Sequence, residues 1–275
     1  MIKLLSFFLL SCLACSSQNL KIYSSLGDLR ILAIVVANGT AAEASAGDTF
    51  TVTPYISDLN STGTISFSVT GCVDPGVSYG ATPTCSGSAT STTYTLASVT
   101  APYTDFTNSF SVTIPSTILT GQSAQTDFNG YSYLLFVTAT NSSGTQVTGF
   151  KRIIVSTKTP KNQNPTLTAI LNNGSTLGTL SAGATASLSY QSGSGSAETY
   201  LVENSDGSTY SVTETLQATW FGSDGTFSYT RTNDGGTTTY TAPSSYSTTR
   251  SSFIVCVLRD GRGGEAVAKT VIHSN

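Results

Sequence analysis

Phe50-Thr51-Val52-Thr53-Pro54-Tyr55-Ile56 is the stretch that decides the fold class. Phe50, Val52, Pro54 and Ile56 alternate with Thr51, Thr53 and Tyr55, so one face is apolar and the other polar. A period of two is the mark of a half-buried antiparallel strand. Pro54 has no N–H to donate, which places its strand at an edge or a bulge. The same alternation returns in Ile65-Phe67-Val69, in Phe110-Val112-Ile114 and in Ala184-Ala186-Leu188-Tyr190. Leu29 to Val36 and Phe253 to Leu258 are instead nearly continuous apolar runs, as expected of strands covered on both faces. Short strands separated by Gly, Asn and Asp turns predict an all-β chain built of two β-sandwiches.

Composition agrees. The chain has 275 residues, only 10% of them charged, with 25 Gly and a single Met. Thr, Tyr, Val and Phe suit pleated surfaces, whereas helix-favouring Glu, Lys and Met are scarce, which excludes a helical bundle. A net charge of −3 with thinly scattered Lys and Arg argues against nucleic acid, whose binding needs clustered cations. An apolar fraction of 39% is enough for packed cores.

The N-terminus reads as an address. Met1-Ile2-Lys3 precedes the apolar run from Leu4 to Leu10, a secretory n-region and h-region too short to span a bilayer. It ends in Ser11-Cys12-Leu13-Ala14-Cys15-Ser16, which resembles a bacterial lipoprotein signal. The resemblance implies cleavage before a lipidated cysteine. Cys15 has the better signal length and Cys12 is the alternative; an ordinary signal peptide with two incidental cysteines is the competing reading. Acyl chains bind at about 0.8 kcal/mol per buried methylene, so they would anchor the protein without a transmembrane helix. Ser16 after the cysteine implies, by the same resemblance, outer-membrane sorting on a periplasmic or surface face. The expected organisation is a signal peptide over 1–14, a tether over 15–27, a first sandwich over 28–156, a linker over 157–164 and a second sandwich over 165–275. The linker follows from Thr157-Lys158-Thr159-Pro160-Lys161-Asn162-Gln163-Asn164, which has no apolar face.

Both sandwiches end alike. Tyr133 to Val137, the turn Asn141-Ser142-Ser143-Gly144 and Phe150 to Val155 predict one terminal hairpin. Phe253 to Leu258, the turn Asp260-Gly261-Arg262-Gly263-Gly264 and Val267 to Ile272 predict the other. In the second half, Glu214 to Trp220, Gly225-Thr226-Phe227, Tyr240-Thr241-Ala242-Pro243 and Asp260 to Gly264 follow in an order that resembles bacterial Ig-like domains of the PKD type. The first half resembles a looser relative through Leu29 to Ile34 and Ala46-Gly47-Asp48-Thr49. The family implies extracytoplasmic modules that space or bind, with no catalytic residues to carry over.

Cys72 and Cys85 flank a Gly/Pro/Ser-rich loop and read as a disulfide in an exported protein. A zinc site would need two further ligands, and no His is near. Cys256 has no obvious partner and reads as a buried inert thiol; the one His, His273, lies near the C-terminus. Trp220 reads either as a sandwich-core residue or as a ligand-stacking platform, and Tyr229, Tyr240 and Tyr246 as residues that would reach a ligand at the surface. Asp206, Asp224, Asp234 and Asp260 sit in Gly-containing turns without calcium-loop spacing, so no metal and no cofactor is expected. A hydrolase would need two carboxyl groups facing one another across a cleft, with Glu198, Glu203, Glu214 and Asp224 as its candidates. The expected function is a non-catalytic, lipid-anchored envelope module that binds a protein or a glycan or acts as a spacer. A structural subunit of a surface assembly is the alternative.

Overall fold

The apolar run from Leu29 to Val36 forms strand β1 (Arg30–Ala37), and different layers cover its two faces. The computed structural model describes residues 23–76, 81–86, 88 and 91–274. β1 pairs antiparallel with the 25-residue strand β2 (Thr49–Val73), opposing Pro54 to Ile34. β2 bends through both layers of the first half. Its start also pairs with β5 (Phe110–Thr113), its middle with β4 (Val99–Tyr103), and its end with β3 (Ser91–Tyr94) and β6 (Tyr131–Thr140). The pairing with β5 stops at Val52, so Pro54 lies beyond the ladder that would need its N–H. After the short helix α1 (Ala124–Asn129), β6 returns through the Asn141–Gly144 turn into β7 (Gln146–Val155), the expected hairpin. Ile34, Val36, Phe50, Val52, Phe110 and Val112 from one layer meet Val69, Leu135, Val137, Ile153 and Val155 from the other.

The second half repeats the construction. β8 (Leu167–Asn172), β9 (Ser175–Thr176) and β10 (Thr185–Ser192) begin one layer, and β11 (Thr199–Glu203) and β12 (Thr209–Thr213) pair only with one another. β13 (Gln217–Gly222), β14 (Thr226–Phe227), β15 (Arg231–Asn233), β16 (Thr238–Thr241), β17 (Ser252–Arg259) and β18 (Glu265–His273) complete it. The layer β14-β16-β10-β8-β9 faces the layer β15-β13-β17-β18. Ile170, Leu188 and Tyr240 meet Trp220, Ile254, Cys256 and Leu258 between them.

The two halves share a third cluster. Leu26, Leu32 and Ala33 pack against Phe221, Phe253, Val255 and Val257. This explains both continuous apolar runs: residues of β1 and of β17 on one face fill their own cores and those on the other fill the seam, with a register shift between Ile31 and Ala33 placing Leu32 and Ala33 both in the seam. The segments expected to be a tether and a linker are built into that seam where they are described. Leu26 is fully buried, its N–H donates to the Gly222 carbonyl, and the Gly222 N–H donates to the Ser24 carbonyl. Lys158 and Asn162 are buried as well. A segment without an apolar period can still be held when its backbone completes a sheet edge, which composition alone does not reveal. Leu26→Ala is expected to cost about 2 kcal/mol, the low end for a buried leucine. Urea unfolding would check this, and an unchanged midpoint would refute the packing.

Candidate cleft at the seam

The turn Asp260-Gly261-Arg262-Gly263-Gly264 is built to project one side chain. The Asp260 carboxylate accepts the N–H of Arg262 at 2.7 Å and that of Gly264 at 2.9 Å, and also accepts from Asn162 Nδ2 at 2.9 Å. Gly261 and Gly263 hold φ of +83° and +110°, and a Cβ on Gly264 would lie 2.1 Å from Asp260 Oδ2. Only glycine meets these demands. The turn delivers Arg262 into the seam.

There Arg262 donates to Glu43 Oε2 at 2.9 Å, to Glu214 Oε1 at 3.0 Å and to Asn162 Oδ1 at 3.3 Å, with Glu198 Oε2 at 3.8 Å. The Glu43 and Glu214 side chains are each only 1% exposed. Ser156 Oγ and the Asn162 N–H also donate to Glu43, and the Glu198 N–H donates to Glu214 at 2.9 Å. A second buried set lies nearby. Glu265 accepts from Lys151 at 3.1 Å and Arg259 at 2.7 Å, and its other contact, with the Ile34 N–H, ties β18 to β1.

Burial pushes the Glu214 carboxyl above its ordinary value; nearby Asp260 adds to this, while the Glu198 N–H and Arg262 oppose it. A raised folded pKa means that Glu214 favours the fold fully below its unfolded value of 4.5 and loses that contribution as pH rises through the folded value. Glu214→Gln is therefore expected to gain stability relative to the parent as pH rises from 4 to 7, whatever its constant offset. Denaturant titrations at several pH values would test it. A difference independent of pH would contradict the assignment.

Above Arg262 lies the separate hairpin β11–β12. Its Tyr200 ring covers the guanidinium, with Cζ 3.8 Å from the ring centroid. The hairpin is fastened to α1 of the other half: Gln125 Nε2 and Asn129 Nδ2 donate to the Glu203 carbonyl at 2.9 and 2.8 Å, and the Glu203 N–H donates to Asn129 Oδ1 at 2.8 Å. This roof overhangs an open cleft of about 480 Å³ lined by Glu43, Asn129, Arg152, Lys158, Tyr200 and Arg262, among others. A neighbouring hollow of about 510 Å³ shares Lys158, Tyr200 and Arg262 and adds Phe128, Pro160 and Leu201. The Lys158 ammonium stands between two rings, 5.3 Å from the centroid of Phe128 and 5.4 Å from that of Tyr200. Burial lowers its pKa; Glu43 opposes that shift, and Arg262 and Lys161 add to it.

The residues singled out in the sequence are distributed otherwise. Cys72 and Cys85 form a disulfide with S–S of 2.06 Å. Cys12 and Cys15 lie outside the described residues. Trp220 and Tyr240 are not surface contacts. Both are fully buried, Trp220 Nε1 donating to Thr232 Oγ1 at 3.1 Å and Tyr240 OH to the Asp224 carbonyl at 2.9 Å. Each ring finds its polar partner inside the core, so nothing holds it at the surface. Tyr229 is 68% exposed, and Tyr246 stacks on His273 at 4.2 Å. Neither lines the cleft. Cys256 is buried and unpaired, and burial pushes its thiol pKa up. Of the four carboxylates weighed for hydrolysis, Glu198 and Glu214 meet at Arg262 and Asp224 pairs with Arg250 at 3.0 Å, while Glu203 carries the hairpin's backbone clasp to α1. Asp206 caps its own turn through the Ser208 N–H, and Asp234 accepts from Tyr190 OH. Among the described residues, no group of three or more His, Cys, Asp or Glu is placed to hold a metal.

Sequence reading missed Glu43, Tyr200 and Arg262 as a unit. The one available signal was an arginine inside a Gly-rich turn, a position that needs no arginine for its own geometry.

No protein-family model and no curated protein matches the chain. Among solved structures, the N-terminal Ig1-2 module of the Drosophila receptor protein tyrosine phosphatase DLAR is 12% identical; the match covers 90% of this chain and 99% of that one at a TM-score of 0.26. The Yersinia pseudotuberculosis adhesin InvE is 14% identical, with 90% and 60% covered at a TM-score of 0.22. The Bacteroides ovatus mixed-linkage glucan utilization locus protein SGBP-B, in complex with a mixed-linkage heptasaccharide, is 17% identical, with 90% and 47% covered at a TM-score of 0.20. At such TM-scores the likeness carries no inference for the cleft.

Proposed function

We propose that this chain is a bacterial envelope protein, lipid-anchored through Cys15 or Cys12, whose tandem Ig-like sandwiches act as a non-catalytic binding module. The observation that carries the binding role is the roofed cleft at the seam, where a hairpin of one half is clasped to the helix of the other above Lys158 and Arg262. A spacer needs no such cleft; a receptor does, because ligand sites are concave and preformed. The two buried carboxylates at the cleft, Glu43 and Glu214, are both ion-paired to Arg262. That arrangement favours holding a ligand over transforming one.

Anchoring is tested by labelled palmitate in a bacterial host. Incorporation that disappears only when both Cys12 and Cys15 are replaced by Ala supports it, and incorporation that persists rejects it. Binding is tested by capture from the native envelope on immobilised protein beginning at Ser16, so that Leu26 keeps its place in the seam. Loss of the captured component on filling the cleft with Val202→Trp, at an unchanged unfolding midpoint, supports the site. Capture unaffected by that change rejects it.

A further inference from the structure

The hydrogen-bonding capacity left unspent by the cavity's charged and amide side chains lies with its donors. Glu43 accepts from Ser156, Asn162 and Arg262. Asn129 uses its amide in both directions on Glu203. Arg262 is divided among Glu43, Glu214 and Asn162. Among the described residues, by contrast, the Lys158 ammonium makes no hydrogen bond and no ion pair, although the residue is only 8% exposed. Arg152 spends only Nε, on Asp74 at 2.6 Å, and its two terminal nitrogens are unspent at 36% side-chain exposure. Two cations with donors to spare on the wall of one cavity favour an anionic ligand, which forms charge-assisted hydrogen bonds with them. The remaining walls are apolar, from Ile154, Val202 and the Tyr200 ring.

Building on the binding role proposed above, we infer that the cleft takes an acidic saccharide, its carboxylate held by Lys158 and Arg152. About 480 Å³ suits one or two sugar rings, and the adjoining hollow beyond Tyr200, walled by Phe128, Pro160 and Leu201, gives a chain of rings somewhere to continue. An acidic peptide would satisfy the same donors, but its extended backbone brings N–H donors of its own to a cavity already rich in them.

The test is calorimetric titration of the full chain with trigalacturonate, alongside neutral cellotriose and triglutamate, in the parent and in Lys158→Met and Lys158→Arg. Methionine keeps the stem packed between Phe128 and Tyr200 while removing the charge. Trigalacturonate is expected to bind the parent, to bind Lys158→Met about tenfold more weakly or worse at an unchanged unfolding midpoint, and to recover with Lys158→Arg. Arg152→Gln supplies a second readout should Lys158→Met fail to fold, and is expected to weaken binding as well. Absent binding of trigalacturonate, binding indifferent to both substitutions, or tighter binding of triglutamate overturns the inference. Cellotriose bound as tightly as trigalacturonate also overturns it, yet leaves the binding role standing. That role falls only if Val202→Trp leaves envelope capture unchanged.

Discussion

Replacing Arg262 by Met is expected to destabilise the protein by about 3–5 kcal/mol, the cost of stranding buried charge. Glu43 and Glu214 would each be left with a side chain 1% exposed and without its ion pair. Their remaining donors, Ser156 and two backbone N–H groups, supply hydrogen bonds but no formal charge. Arg262→Lys should recover only part of the loss, because an ammonium cannot reproduce the guanidinium's fork onto two carboxylates or its stacking on Tyr200. Removing Glu43 and Glu214 together with Arg262, as Gln, Gln and Met, should cost less than Arg262→Met alone. Equilibrium urea titration of the three variants measures all of this. If Arg262→Met unfolds with the parent's midpoint, the buried cluster is not as described. If the triple variant is the worst of the set, the loss comes from packing and not from unpaired charge.

Trp220→Ala should cost a similar amount, about 3–5 kcal/mol, through the cavity left in the second core. Trp220 lies opposite Cys256 on β17 and packs with Leu188, Tyr240 and Ile254. Tyr229→Ala, by contrast, removes a ring 68% exposed and should change stability by no more than about 0.5 kcal/mol. Because the chain has a single Trp, its fluorescence reports this one site. Emission from the native protein should be blue-shifted and poorly quenched by acrylamide, and unfolding should reverse both. A red-shifted, freely quenched native spectrum would restore Trp220 as a surface platform.

Much of the architecture was legible because strand pattern is a local property. Phe110-Ser111-Val112-Thr113-Ile114 has buried and exposed positions in strict alternation, as its spelling implies. The two terminal hairpins fall at Asn141–Gly144 and Asp260–Gly264, where turn chemistry announces them. The disulfide joins the two cysteines that composition paired. Tyr240 shows where such reading stops. A tyrosine in an alternating segment looks the same whether its hydroxyl meets water or the Asp224 carbonyl, and only the packing distinguishes them.

By itself the sequence determined the β class, the register of polar and apolar faces, the hairpin turns and the 72–85 crosslink, because each depends on residues near in the chain or on a residue type that has one ordinary use. The tertiary structure alone decided the seam. Glu43 and Arg262 stand 219 positions apart, yet share a hydrogen bond that neither would sustain in water. Whether Lys158 is a solvated linker residue or a cation enclosed by two rings depends on how the halves dock. No local pattern encodes that, since docking is set by shape and buried area summed over both surfaces.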